Sequence, residues 1–383
     1  MALVPGLLLA CAGERGTSSE DSDAPEVAGA PLEIEESARV TLGRVPDDTL
    51  HIFHRVEPPF LLPDGRVGVP LRSTGTIRVF GPDGAFVTSH GHRGKAPGEF
   101  EGLSAAWARG DTVEALDRTS RRITRFLPDG TTETAALDTQ LWDLSFGGAL
   151  GDGWAVAGVV DGGIGRRDRI VVRRIGRDGT DLGVITGVDG MARYGEPRVF
   201  SGPTPLSPMP FVWITGDRVY VGESLTPRVE VFDASGALRG EIGWESAGND
   251  ADIREVVRAV VDSALEMAAP DQRATVRRRL ELAPEPEALP LFSRVIVDEE
   301  GFIWIRPYEP LEHAFPLGRR RFVGGRAAPG GRWRILTPEG VEVGSIAVPP
   351  DLDLEYVGSD AVVGIAVDEF GVESVRVHAL RRR

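Results

Sequence analysis

The chain has 383 residues, of which 41% are hydrophobic and 26% charged, with 48 glycines and a formal net charge of -15. That charge excludes nucleic acid as a partner, because phosphate binding requires clustered Lys and Arg, and the single cysteine, Cys11, excludes both an intramolecular disulfide framework and a multi-cysteine zinc site. Lys95 is the only lysine, so a Schiff-base mechanism has one candidate, and the remaining cations are permanently ionised guanidinium groups suited to pairing with carboxylates.

From the N-terminus, Leu8-Leu9-Ala10-Cys11 closes an apolar run too short to span a bilayer. It resembles the lipobox of bacterial lipoproteins. The resemblance implies lipidation of Cys11 and a place in the bacterial cell envelope, periplasmic or anchored to the outer membrane; a secreted protein, or a stray cysteine, is the alternative. Residues 14–31, rich in Ser, Asp, Glu, Ala and Pro, read as a solvated tether. The expected organisation is therefore a signal and tether over 1–31 and one folded unit over 32–383.

From residue 60 onward a unit repeats. Ile77-Arg-Val-Phe-Gly-Pro-Asp-Gly84 returns as 123–130, 172–179, 229–236 and 333–340, each copy a strand followed by a tight turn. The turn glycines Gly84, Gly130, Gly179, Gly236 and Gly340 are 46, 49, 57 and 104 residues apart, the last gap holding one unit and a long insertion. Four strands every 40 to 50 residues, here called a to d, mark a β-propeller, and six units are countable. The expected fold is all-β, a six-bladed β-propeller. Its sixth unit ends after strand c, so the strand-like segment 38–45 is expected to pair there and close the ring, removing an exposed edge.

Two stretches break the period. Ile253, Val256, Val257, Val260, Val261, Ala264, Leu265 and Ala268 fall at helical spacing, which predicts an amphipathic helix over 252–269. Pro270 is placed to open a second helix reaching about Leu282, giving a helical insertion over about 250–290, between units four and five. The other stretch, 191–210, reads as irregular.

Gly91-His-Arg-Gly94-Lys-Ala-Pro-Gly98-Glu99-Phe100, between the first two units, and Asp117-x-x-x-Arg121-Arg122-Ile123 resemble the signature of NHL-type six-bladed propellers, a group that includes bacterial lipoproteins. The resemblance implies fold rather than activity, since such propellers serve as binding proteins, lyases and lactonases.

The a–b and c–d turns are short, whereas the b–c and d–a connections, on the opposite face, hold 191–210, the helices and 309–330. Long loops on a rigid scaffold carry binding residues, so that face is the candidate; the alternative is that the insertions only cap the channel. At the ends of the b strands on this face stand Arg72, Asp117, Asp161, Glu223, Arg306, Tyr308 and Asp368. These groups either orient a polar ligand or pair with one another. His90 and His92 offer two ligands, too few for a metal, and His51 and His54 join them only if the fold brings them close. The Arg109-Gly110-Asp111 tripeptide occupies a turn position, and the tryptophans fall at core positions. No phosphate loop, G-x-S-x-G elbow or H-E-x-x-H run appears, so neither a cofactor nor a catalytic residue is assigned.

The expectation is a monomeric, non-catalytic binding module whose partner is a protein, a peptide or a small polar ligand, with the membrane reached only through a lipid anchor. The alternative is a propeller enzyme of the lyase or lactonase type with a metal in the channel. The calcium site of lactonase propellers uses asparagine, and Asn249, inside the insertion, is the only one here.

Overall fold

The computed structural model describes residues 32–43, 49–246, 251–314 and 329–382. Cys11, the tether and Asn249 lie outside them. The chain opens with β1 (Leu32–Leu42), whose partner comes last. Among the described residues six antiparallel sheets then follow in order. The first holds β2 (Phe60–Leu61), β3 (Val67–Leu71), β4 (Thr76–Phe80) and β5 (Phe86–His90), and the second β6 (Leu103–Arg109), β7 (Thr112–Asp117), β8 (Arg122–Phe126) and β9 (Thr132–Ala136). The third holds β10 (Trp142–Leu150), β11 (Gly153–Asp161), β12 (Arg167–Ile175), β13 (Asp181–Glu196) and β14 (Phe200–Pro203), and the fourth β15 (Pro210–Thr215), β16 (Arg218–Glu223), β17 (Arg228–Asp233) and β18 (Leu238–Gly243). The fifth holds β19 (Phe292–Val297), β20 (Ile303–Pro307), β21 (Gly331–Leu336) and β22 (Glu342–Val348). The sixth is β23 (Leu352–Val357), β24 (Ala361–Val367), β25 (Glu373–Arg382) and, hydrogen-bonded to β25, β1.

Turn chemistry sets the repeat. In β4 the β-branched Ile77 and Val79 point inward while Arg78 points out, as the two-residue period demands. The chain reverses at Gly81 to Gly84: the Gly84 N–H donates to the Gly81 carbonyl (2.9 Å), and the Asp83 carboxylate accepts the Ala85 N–H (3.0 Å). Gly84 has φ +84°, a left-handed conformation that a side chain disfavours, and the register slips by one residue beside it. Gly179 carries a second constraint: a Cβ there would sit 1.9 Å from the Ala136 carbonyl oxygen, so glycine lets this turn of the third sheet press on the end of the second.

The second strands of the sheets are mostly buried, because a neighbouring sheet covers each of their two faces. β3 (Val-Gly-Val-Pro-Leu) is buried at every position. Each gap between consecutive sheets holds its own core. Ile77 and Val79 meet Leu103 and Val113 between the first and second; Ile296 and Trp304 meet Leu352 and Leu354 between the fifth and sixth. Val363, Ile365 and Val375 of the sixth sheet pack with Val67, Val69 and Leu71 of the first, so the last sheet returns to the first.

β1 was expected over 38–45 and begins earlier, at Leu32, where it pairs with Arg382; its other end, Leu42, pairs with Val375. Between β18 and β19 come α1 (Ile253–Met267) and α2 (Arg273–Glu281). Asp252 caps α1 by accepting the Arg254 N–H (2.8 Å), and α2 starts three residues beyond Pro270, with Gln272 as its N-cap. The apolar stripe of α1 is covered by the chain itself: Val260 and Ala264 pack with Leu206, Leu280, Leu289 and Tyr308.

The stretch 191–210 is more regular than its composition suggests. β13 runs on to Glu196 and folds back as β14. Helix α2 holds this hairpin: the Arg279 guanidinium lies 4.9 Å from the Phe200 ring centroid, and Arg278 pairs with Glu196 at 3.2 Å. A long-range contact, absent from any local pattern, thus decides its structure.

Candidate ligand-binding face

The two sides of the molecule use their polar groups differently. On the side of the a–b and c–d turns, aspartates pin their own loops. Asp64, Asp83, Asp129, Asp178 and Asp233 each accept the backbone N–H two residues on, at 2.8 to 3.2 Å. The backbone N–H of Thr131, and then its hydroxyl, hold the Asp129 carboxyl below the usual range, and Thr180 does the same for Asp178. At Asp233 the Ser235 hydroxyl is the main cause of the same downward shift.

On the opposite side stand the seven residues at the ends of the second strands, distributed among the sheets rather than gathered. Asp117 is fully buried and accepts N–H groups from Glu101, Gly102, Thr119 and Ser120 at 2.9 to 3.0 Å, tying its own turn to the strand entering the sheet. Asp368 likewise accepts from Phe370 (3.0 Å) and Val372 (2.9 Å). Arg72 reaches Glu57 at 3.4 Å, Asp161 pairs with Arg166 at 3.2 Å in the open, and Glu223 takes Arg167 from the third sheet at 2.5 Å.

Arg306 and Tyr308 stand two residues apart, at and just past the end of β20. Both are buried, and burial lowers the Arg306 pKa against the opposing pull of Glu312, 3.3 Å away. Burial also pushes the Tyr308 phenol up; its hydroxyl donates to the His313 carbonyl at 3.2 Å. Tyr308, though not Arg306, lines a cavity of about 340 Å³ where the end of β18, the two chain ends of the helical segment and the connection after β20 converge. Trp244, Tyr308, Ile305 and three prolines, Pro290, Pro307 and Pro310, form much of its wall; Glu309 and Arg334 supply charge. The Arg334 guanidinium is held by Glu342, with Nε 3.1 Å from Oε2, and donates to the Glu245 carbonyl at 2.9 Å. A sequence signal for this cavity exists in retrospect: Trp244 stands just before the helical segment, and prolines bracket both connections.

Two further charge clusters escaped sequence reading and are internal. Arg294, on the innermost strand of the fifth sheet, binds Asp353 (2.8 Å) and Glu355 of the sixth; hydrogen bonds and charge from these carboxylates raise its pKa despite desolvation. Arg193 grips Asp168 through Nε at 2.8 and 2.7 Å. The histidines do not assemble. His90 stacks on Phe126 (4.8 Å between centroids), His92 bonds Glu99 (2.8 Å), and His51 packs in the core near Phe80. Among the described residues no group of three His, Cys, Asp or Glu is placed to hold a metal ion, and no helix is long and apolar enough to cross a membrane.

No family model matches the chain. No curated protein matches its sequence. Solved structures do resemble it. A protein of Bacteroides fragilis described as exported aligns over 95% of this chain and 97% of its own, at 11% identity and a TM-score of 0.51. A member of the DUF4221 family from Bacteroides vulgatus aligns over 92% of this chain and 99% of its own (9% identity, TM-score 0.49). Virginiamycin B lyase from Staphylococcus aureus aligns over 91% and 99% (9% identity, TM-score 0.39). At such identities the likeness is one of fold alone, and with its antiparallel sheets packed in sequence the chain has an all-β, propeller-like architecture.

Proposed function

We propose that the chain is a six-bladed β-propeller exported to the cell envelope, acting there as a non-catalytic binding module through the face that carries the helices and long connections. One observation carries the reading. The cavity, the helices and the β13–β14 hairpin all lie on that face, while the turns of the other are short and pinned by their own aspartates. Six sheets packed in cyclic order, the sixth completed by β1, support the blade count, and the NHL-like segments agree with it. Likeness to a protein described as exported supports an extracytoplasmic location, and Cys11 would supply the lipid anchor. β1 enters beside the end of β25, on the plain side.

Val199, at the tip of the β13–β14 hairpin, and Phe370, in the turn after β24, are 76% and 84% exposed on the proposed face; Leu238 and Val341 are exposed at the starts of outer strands beside the plain turns. Immobilised full-length protein presented with envelope extract is expected to lose its captured partner in the Val199→Glu/Phe370→Glu variant and keep it in Leu238→Glu/Val341→Glu. The reverse pattern overturns the assigned face. Stoichiometric metal in the purified protein would overturn the non-catalytic reading in favour of a lyase or lactonase.

A further inference from the structure

We infer that the cavity between the fourth and fifth sheets is a docking site for an extended, proline-containing peptide segment with a basic residue beside it. This rests on the binding-face reading and deepens it by naming the ligand class. The walls come first. Two aromatic side chains and three prolyl rings form part of the wall of a space of about 340 Å³ whose exposed surface is otherwise largely polar, and rings of this kind are what prolyl segments pack on. A polyproline segment is already extended in solution, so little ordering entropy is lost when it docks.

Hydrogen bonding narrows the choice. Proline walls offer no N–H, and three neighbouring backbone donors are already used: Trp244 N–H donates to the Pro227 carbonyl (3.0 Å), Leu291 N–H to Ser224 (2.7 Å) and Tyr308 N–H to Leu291 (3.2 Å). Two side-chain donors of the lining bond no other described residue, the Ser246 hydroxyl and the Trp244 indole N–H. The indole N–H groups of Trp107, Trp154, Trp304 and Trp333 all have acceptors, whereas that of Trp244, a residue only 8% exposed, donates to none among the described residues. The ring is buried while its N–H remains reachable from the cavity, so a ligand carbonyl can take the place of water there. A prolyl segment suits the site: its tertiary amide accepts through the carbonyl and brings no N–H needing a partner in the prolyl wall.

Charge sets the flank. Arg334 is neutralised by Glu342, and Arg306 by Glu312. The carboxylates of Glu245 and Glu309, both exposed at the rim, form no salt bridge among the described residues. The rim is therefore negative, on a chain of net charge -15, and favours Lys or Arg on the incoming segment.

The test is calorimetric titration of the full chain with acetyl-Pro-Pro-Leu-Pro-Pro-Arg-Arg-amide, at up to about 1 mM probe. Saturable one-to-one binding is expected, weakened about three- to tenfold by Trp244→Phe, which keeps the ring and removes the N–H, and to a similar degree by Glu309→Gln. Replacing the probe's prolines by alanine, or its arginines by glutamate, is expected to abolish binding. No saturable binding to the unaltered chain, equal binding of the alanine probe, or binding indifferent to both variants overturns the inference. Should Trp244→Phe fail to fold, Glu309→Gln, at an exposed site, still decides. A probe that fails while Val199→Glu/Phe370→Glu still abolishes partner capture sinks the cavity assignment and spares the face; binding of the probe with capture unaffected by that pair does the opposite.

Discussion

Glu114 of β7 accepts the indole N–H of Trp154, which belongs to the next sheet, with Oε2 2.8 Å from Nε1. The same oxygen takes the indole of Trp107 at 2.8 Å, and the other takes the guanidinium groups of Arg109 (3.0 Å) and Arg125 (3.2 Å). Arg109 then reaches the carbonyls of Gly151 and Gly153 in the third sheet. One carboxylate, 1% exposed, thus clasps two sheets together through four donors. Removing it leaves two indole N–H groups and the Nε donors of Arg109 and Arg125 without their acceptor, although Arg125 keeps Glu133 and Arg109 the two carbonyls, so Glu114→Ala is expected to destabilise the fold by about 2–4 kcal/mol, read as a lowered denaturant midpoint. A loss below about 1 kcal/mol would mean that the clasp is incidental.

Leu42 of β1 is fully buried between the sixth and first sheets, packed with Val67, Phe80 and Val375. Leu42→Ala is expected to cost about 2–5 kcal/mol, the usual range for emptying a tight core site. The exposed Arg39 of the same strand, paired with Asp360 at 3.1 Å, should cost under about 1 kcal/mol when changed to Ala. Equal losses at the two positions, measured by equilibrium unfolding, would show that β1 adds ladder hydrogen bonds but no core.

Acid stability follows from the turn aspartates. The carboxyls of Asp129, Asp178 and Asp233 are held below their ordinary pKa in the fold, so the folded state binds fewer protons than the unfolded one near that pKa. Their contribution is fully present above about pH 4 and is lost as pH falls through the lowered folded values. The unfolding midpoint should be flat in these groups between about pH 5 and 7 and fall below about pH 4. The triple variant with Asn at the three positions should show a shallower acid limb; an unchanged limb would place acid sensitivity elsewhere.

The sequence by itself determined what depends on near neighbours. Pro-Asp-Gly and Gly-Asp turns, alternation such as Ile77-Arg78-Val79, and the helical spacing from Ile253 to Leu265 are written in a few consecutive residues, because turn geometry and side-chain period are local properties. The need of β25 for an outer partner was also legible, as a strand lacking its pair. Tertiary structure decided which polar groups are sealed from solvent. Asp117 and Asp161 both end second strands, yet one is sealed among four backbone N–H groups while the other pairs with Arg166 in solvent. Part of the difference is local, since Thr119 and Ser120 follow Asp117 closely and Arg166 lies five residues beyond Asp161; the fold adds the N–H groups of Glu101 and Gly102, which seal Asp117 alone. The cavity is the same case, since Trp244, Pro290, Tyr308 and Arg334 share a wall only because two sheets and a pair of helices bring distant segments to one place.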